Sequence, residues 1–157
     1  MNKKTLPEYL AELLKSGQAH VDLDGAMKDW PANLQGKTPK GAAHSGWEVL
    51  EHMRIAQWDI LEFTRNPKHV SPAFPAGYWP KTQAPPDKNA WRKSVDAFRA
   101  DLKAMIEIVE NESTDLYAPI PHGEGQTALR EALLLADHNA YHLGEVVLLR
   151  RLLGAWK

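Results

Sequence analysis

The segment Leu133–Leu149, LLLADHNAYHLGEVVLL, sets the terms for the rest of the chain. It has the length and period of one helix and carries two histidines four residues apart. Each helical residue advances about 100° and 1.5 Å, so His138 and His142 share a face, roughly 40° and about 6 Å apart. Two imidazoles so placed can grip one metal ion. Counted by threes and fours, the row through them is Thr127, Glu131, Leu134/Leu135, His138, His142, Glu145 and Leu149. Leucines flank it, so the row is expected to face a core. Two histidines and a glutamate in that setting need partners, because unpaired buried polar groups are costly. A metal would satisfy all three. Chance placement of an HxxxH pair is the competing explanation, and the rest of the chain weighs between them.

A chain of 157 residues is long enough to bury a real core within one domain. A net charge of -1, with lysines and arginines scattered, lacks the basic footprint of a nucleic-acid binder. No apolar run approaches the ~18 residues that span a bilayer, so no membrane is expected. The stretch Met1–Glu8 has no apolar core of the kind a signal peptide carries. There are no cysteines, which excludes thiolate ligands and a cysteine nucleophile; a metal here would be held by N and O donors. This fits a cytoplasmic protein. Seven histidines and six tryptophans are many for this length, which directs attention to a site.

Helix signals recur along the chain. Thr5-Leu6-Pro7-Glu8 reads as a capping box, followed by Leu6, Leu10, Leu13 and Leu14 at helical period, with Gly17 as the stop. A short helix is expected over about Asp22–Asp29. Ser45 and Glu48 form a second capping box that opens a strong helix over Gly46–Arg65. Its stripes, Trp47/Leu50/Trp58/Leu61 and Val49/Met53/Ala56/Ile60/Phe63, make a wide apolar arc, so this helix is central. Asn66–Asp87 is a loop with six prolines and with Phe74, Tyr78 and Trp79. Loops of that length often cover functional sites, or pack their own aromatics on the domain. Asp87 is the expected cap of a helix over about Lys88–Glu110, whose apolar positions Trp91, Val95, Phe98, Leu102, Met105/Ile106 and Val109 mark pure scaffold. After a Pro/Gly loop the last helix runs from near Thr127 to about Leu153, with Gly154 suited to the C′ position. Three long helices and the N-terminal one predict an all-α four-helix bundle with long connections.

Sites in such bundles form from side chains on facing helices. Only His52 joins a helix position to an inward aspect, at the edge of the arc on Gly46–Arg65, so it is the expected third ligand. His20, His44, His69 and His122 fall in loops or at helix edges, where solvated histidines are the default; His44 and His122 are candidates for a pocket mouth. Three neutral imidazoles leave positions open for water or substrate, as in catalytic zinc-type sites. Glu145, one turn beyond His142, is the candidate catalytic residue, able to accept from a bound water or to orient a ligand. Glu51 and Asp59 are alternative supporting carboxylates.

These residues carry a resemblance. WEVLEHM around His52 and DHNAYHLGEVVLLRRLLG around the HxxxH pair are together similar to the DinB-like superfamily, four-helix-bundle proteins with a His…HxxxH metal triad. The resemblance runs from Leu6 to Gly154 and includes the YWP loop. Carried over residue by residue, it implies the same triad, His52, His138 and His142, and a divalent metal, zinc or nickel. It implies a small-molecule substrate, a low-molecular-weight thiol as partner, and a homodimer. Some relatives resemble thiol-dependent transferases or isomerases and others metal-dependent hydrolases. Where the family commonly has Gly-Gln, this chain has Gly144-Glu145, an added carboxylate beside the site.

The expectation is a single DinB-like domain over residues 1–157 that binds a divalent metal and acts on a small molecule by thiol transfer or hydrolysis. The rival is a non-catalytic metal- or ligand-binding bundle of a stress response. An open coordination position marks the first; a protein side chain in that position, Glu145 for instance, marks the second. A third reading, with no metal, requires all three histidines to be hydrogen-bonded within the protein.

Overall fold

The computed structural model describes residues 4–156. The first three residues, part of the stretch read for a leader, lie outside the described residues. The helices are α1 (Leu6–Lys15), α2 (Leu23–Met27), α3 (Gly46–Arg65), α4 (Ala90–Glu110) and α5 (Ala128–Leu152), with single 3-10 turns at Ala32–Leu34 and Ala76–Tyr78. The architecture is all-α: α3 packs along both α4 and α5, α1 closes the bundle against α4 and α5, and α2 lies against α5. Among the described residues no helix is long and apolar enough to cross a membrane.

Local chemistry places the ends. The Glu8 carboxylate accepts from the Thr5 backbone N–H at 2.6 Å, and α1 stops before Ser16 and Gly17, both at positive φ. The Ser45 N–H donates to Glu48 (2.8 Å) and the Ser45 hydroxyl accepts from the Glu48 N–H (3.2 Å). The same hydroxyl donates to the Gln83 carbonyl (2.6 Å), so one cap starts α3 and ties down the end of the long loop. At Gly46 a Cβ would lie 2.4 Å from the Trp30 ring, so a larger residue would displace a buried indole. The start of α4 differs from expectation: Asn89 is the N-cap, while Asp87 lies two residues upstream and accepts from the Asn89 N–H (2.7 Å). Thr127 caps α5 by accepting from the Arg130 N–H (3.1 Å).

The core is in two apolar clusters. One gathers Leu10, Leu14, Leu61, Met105, Val109 and Leu135. The other gathers Met27, Trp30, Leu50, Met53, Phe98 and Val146. Between them on α3 and α5 lie two buried amides, Gln57 and Asn139. Two expected core positions are on the rim instead. Trp58 is 37% exposed and meets His69 edge-on, and of the Leu134/Leu135 pair only Leu135 is buried. A helix winds 3.6 residues per turn, so a wide apolar arc spills onto the surface at its edges.

Candidate metal centre

The polar layer continues outward into three imidazoles. His52 comes from the first half of α3, and His138 and His142 from successive turns of α5. Ring centroids lie 5.0 Å apart for His52–His138 and 4.6 Å for each of the other two pairs. One ligand nitrogen from each ring falls within 4.8 Å of the other two, so the three histidines could hold a metal ion. The Nε2 atoms of His52 and His138 are 3.1 Å apart. Two nitrogens each about 2.1 Å from one ion lie roughly 3.0–3.4 Å apart in octahedral or tetrahedral geometry, so this pair is already at ligand spacing.

The outer nitrogens argue the same way. His52 Nδ1–H donates to the Tyr78 carbonyl (2.9 Å), and His142 Nδ1–H donates to Glu145 Oε2 (2.9 Å). Metal-bound histidines characteristically spend their second N–H on a carbonyl or carboxylate, which fixes the ring and its tautomer. A purely hydrogen-bonded cluster would also pair His138 Nδ1, and that atom is buried without a partner. Burial, then the His142 and His52 rings beside it, push the His138 pKa down to about 4. Burial chiefly holds His52 below the usual histidine value, and the His142 imidazole holds the Glu145 carboxyl below the usual carboxylate range. Neutral imidazoles are the form that binds metal. These donors fit a divalent ion.

A pH dependence follows for the metal-free protein. An unfolded histidine takes its proton near 6.5, whereas folded His138 resists until about 4. Between those values the unfolded state binds more protons, so stability falls as pH falls through that window. For a half-buried ring the expected loss is about 2 kcal/mol. Urea unfolding of chelator-treated protein at several pH values from 7 to 4 measures it, and His138→Gln should flatten the slope.

The long loop supplies one wall. Trp79 stacks on His52 (4.1 Å, 6°) and its other face meets His44 (4.0 Å, 23°). His44 thus reaches the centre only through the Trp79 ring. The loop is anchored at Asp59, whose carboxylate accepts from the Tyr78 hydroxyl (2.6 Å) and pairs with His69 Nε2 (2.7 Å). Burial and the Asp59 carboxylate push the Tyr78 phenol up to about 12. His69 is therefore no solvated loop histidine: its side chain is 6% exposed. His122 Nε2–H donates to the Phe63 carbonyl and His20 Nδ1–H to the Val21 carbonyl; neither joins the centre. Glu51 is turned to Arg54 and Ser94. Beyond Glu145 an open groove of about 490 Å³ runs past Lys40, Tyr141, Gly144 and Leu148.

Sequence reasoning missed Tyr78 and Trp79 as contacts of His52, and missed Gln57 and Asn139 altogether. The amides had a signal: each sits on the buried row of its helix, Gln57 between Met53 and Leu61 and Asn139 between Leu135 and Leu143. The Tyr78 contact is made by a backbone carbonyl, which leaves no mark on residue type.

Fold and site together define a helical bundle with an inter-helix histidine triad able to hold a metal ion. The chain belongs to the DinB superfamily, whose family model matches residues 17–146. No curated protein and no solved structure matches the chain.

Proposed function

We propose that the protein is a metal-dependent enzyme that holds zinc or nickel on His52, His138 and His142 and performs thiol transfer or hydrolysis on a small molecule. The carrying observation is the side of the ring that Glu145 occupies. It is bonded to His142 at Nδ1, which leaves Nε2 as that ring's ligand nitrogen, and Glu145 itself is not gathered with the three histidines, so it does not fill a coordination position. A non-catalytic binding site would be better served by a fourth protein ligand. When bound, the ion would lower the pKa of a water or thiol at the open position. Glu145 Oε2 fixes the His142 tautomer, and Oε1, free of other hydrogen bonds among the described residues, is the oxygen this reading assigns to proton transfer with the incoming nucleophile. Trp79 stacks on one face of His52 and shields it.

The test is a screen of zinc- and nickel-loaded protein with low-molecular-weight thiols plus small electrophiles, and with hydrolysable esters and amides. Turnover should appear in one arm and fall about 10²–10⁴-fold in Glu145→Gln, with metal content kept. Full metal occupancy with no turnover in any arm would move the protein to the binding class.

The proposed assembly is a homodimer. The outer face of α5 exposes Leu134, Tyr141, Leu148 and Leu152 (36%, 74%, 55% and 55%). A helix apolar on both faces is one that expects cover on both. A second copy supplies it by two-fold pairing of the same face. Sedimentation should give twice the chain mass of 17.6 kDa, and Leu148→Glu should give the monomer; a monomeric wild type at tens of micromolar ends the idea.

A further inference from the structure

A chain of amides lies under the triad. Gln57, fully buried, donates from Nε2 to the Phe98 carbonyl of α4 (2.6 Å). Asn139, also buried, donates from Nδ2 to Gln57 Oε1 (3.0 Å). Chemistry dictates the direction of this chain. A carbonyl only accepts, so Gln57 must turn its NH₂ to Phe98. Its oxygen then faces Asn139, which must answer with its own NH₂. Asn139 Oδ1 is left as an acceptor of fixed orientation, and it is buried without a partner. On the adjacent residue His138 Nδ1 is buried without a partner too. A protonated ring nitrogen and an amide oxygen complement each other, and buried polar groups in folded proteins are almost always paired.

We propose that the buried chain from the Phe98 carbonyl through Gln57 to Asn139 sets the tautomer of His138, with Asn139 Oδ1 accepting from His138 Nδ1–H so that the Nε2 lone pair is presented to the metal. Gln57 and Asn139 are then positioning residues for a ligand on the neighbouring turn. The inference rests on the metal reading above and adds to it the support for the one ligand whose outer nitrogen had none.

The contact between His52 and His138 bears on the choice of tautomer in the neutral rings. His52 gives its Nδ1–H to Tyr78, so its Nε2 carries a lone pair toward His138 Nε2, 3.1 Å away. If His138 protonates Nε2 to bond His52, its Nδ1 is left as a buried lone pair, and the unpartnered Asn139 oxygen on the next residue can only accept. If it protonates Nδ1, two Nε2 lone pairs face each other. Each neutral tautomer leaves one unfavourable arrangement. A cation between the Nε2 atoms removes it only for the tautomer that Asn139 selects.

Long-range proton–nitrogen NMR of the imidazoles in the zinc-loaded full chain reads the tautomer directly. The expected spectrum has His138 protonated at Nδ1, with slow exchange of that proton, and metal-bound at Nε2. Asn139→Leu removes the acceptor; zinc affinity by chelator competition should fall 10–100-fold, the usual cost of losing such support, and the Nδ1 proton should exchange fast. Asn139→Asp keeps an acceptor for His138 but sets a carboxylate oxygen against Gln57 Oε1. It should melt at lower temperature yet hold zinc within about threefold of wild type. Affinity that merely tracks stability across both variants overturns the proposal, as does a zinc form with His138 protonated at Nε2. Should Asn139→Leu fail to fold, the wild-type spectrum decides. A wild type that takes up no zinc sinks the metal reading along with this one; a wild type that binds zinc with the other tautomer sinks this one alone.

Discussion

His142→Ala is expected to empty the centre. Protein purified without added metal or chelator should carry about one equivalent of zinc or nickel per chain by elemental analysis, and the variant should carry none. His142 is the most buried of the three residues, 8% exposed, and its Nδ1 is already committed to Glu145. Of the other described histidines, His20, His69 and His122 are each bonded elsewhere, and His44 is stacked on Trp79, which itself stacks on His52. The loss should exceed the 10–100-fold that removing a supporting group costs, because a ligand itself is gone. A ligand at a hundred times its Kd stabilises the fold by about 2.7 kcal/mol. At this chain length that is roughly 5–10 °C in melting temperature, so zinc should raise the wild-type Tm and leave the variant unmoved. His20→Ala is the control, expected to keep metal and Tm. Equal metal content in wild type and His142→Ala would mean that the triad is not the site.

The second large effect is expected at Asp59, which touches no ligand. Asp59→Ala should cost about 2–4 kcal/mol of stability, since it leaves the Tyr78 hydroxyl and the enclosed His69 ring without their carboxylate. The damage should also reach the centre. The same Tyr78 gives its carbonyl to His52 Nδ1, and the next residue, Trp79, stacks on the His52 ring. Released from α3, that segment no longer fixes the His52 tautomer, and zinc affinity should fall 10–100-fold. Tyr78→Phe removes one hydrogen bond and should cost only about 1 kcal/mol. Urea unfolding and chelator competition on the same samples measure both quantities. Normal zinc affinity in a destabilised Asp59→Ala protein would show the loop to be a cover with no hold on the ligand.

Much of this was legible in residue order, for a physical reason. Capping boxes and apolar periods are local, so Thr5/Glu8, Ser45/Glu48 and the rows of α3 and α4 located their helices within a few residues. His138 and His142 are on one helix, and their common face is a matter of helical geometry alone. His52 was reached because few histidines occupy a long helix. The support around the rings was less legible. Asp59, His69 and Tyr78 are joined by the path of a proline-rich loop, which no periodicity encodes. Asp87 looked like a cap because Asp is a good one, yet the turn before α4 spends its carboxylate on the Asn89 N–H and lets the helix begin later.

The paired amides that divide the core also fix how far along its axis α5 may slide. A shift of one turn, about 5.4 Å, would bring Asn139 level with the Met53 or Leu61 layer and leave Gln57 facing aliphatic carbon. Each stranded amide would cost about 1–3 kcal/mol, while Leu, Val and Met neighbours would accept the slip with little protest. The same shift would carry His138 and His142 a full turn past His52. Helix alignment and ligand alignment are therefore one measurement made by the same two side chains. A variant with apolar residues at both positions could remain folded and helical while its three imidazoles no longer meet.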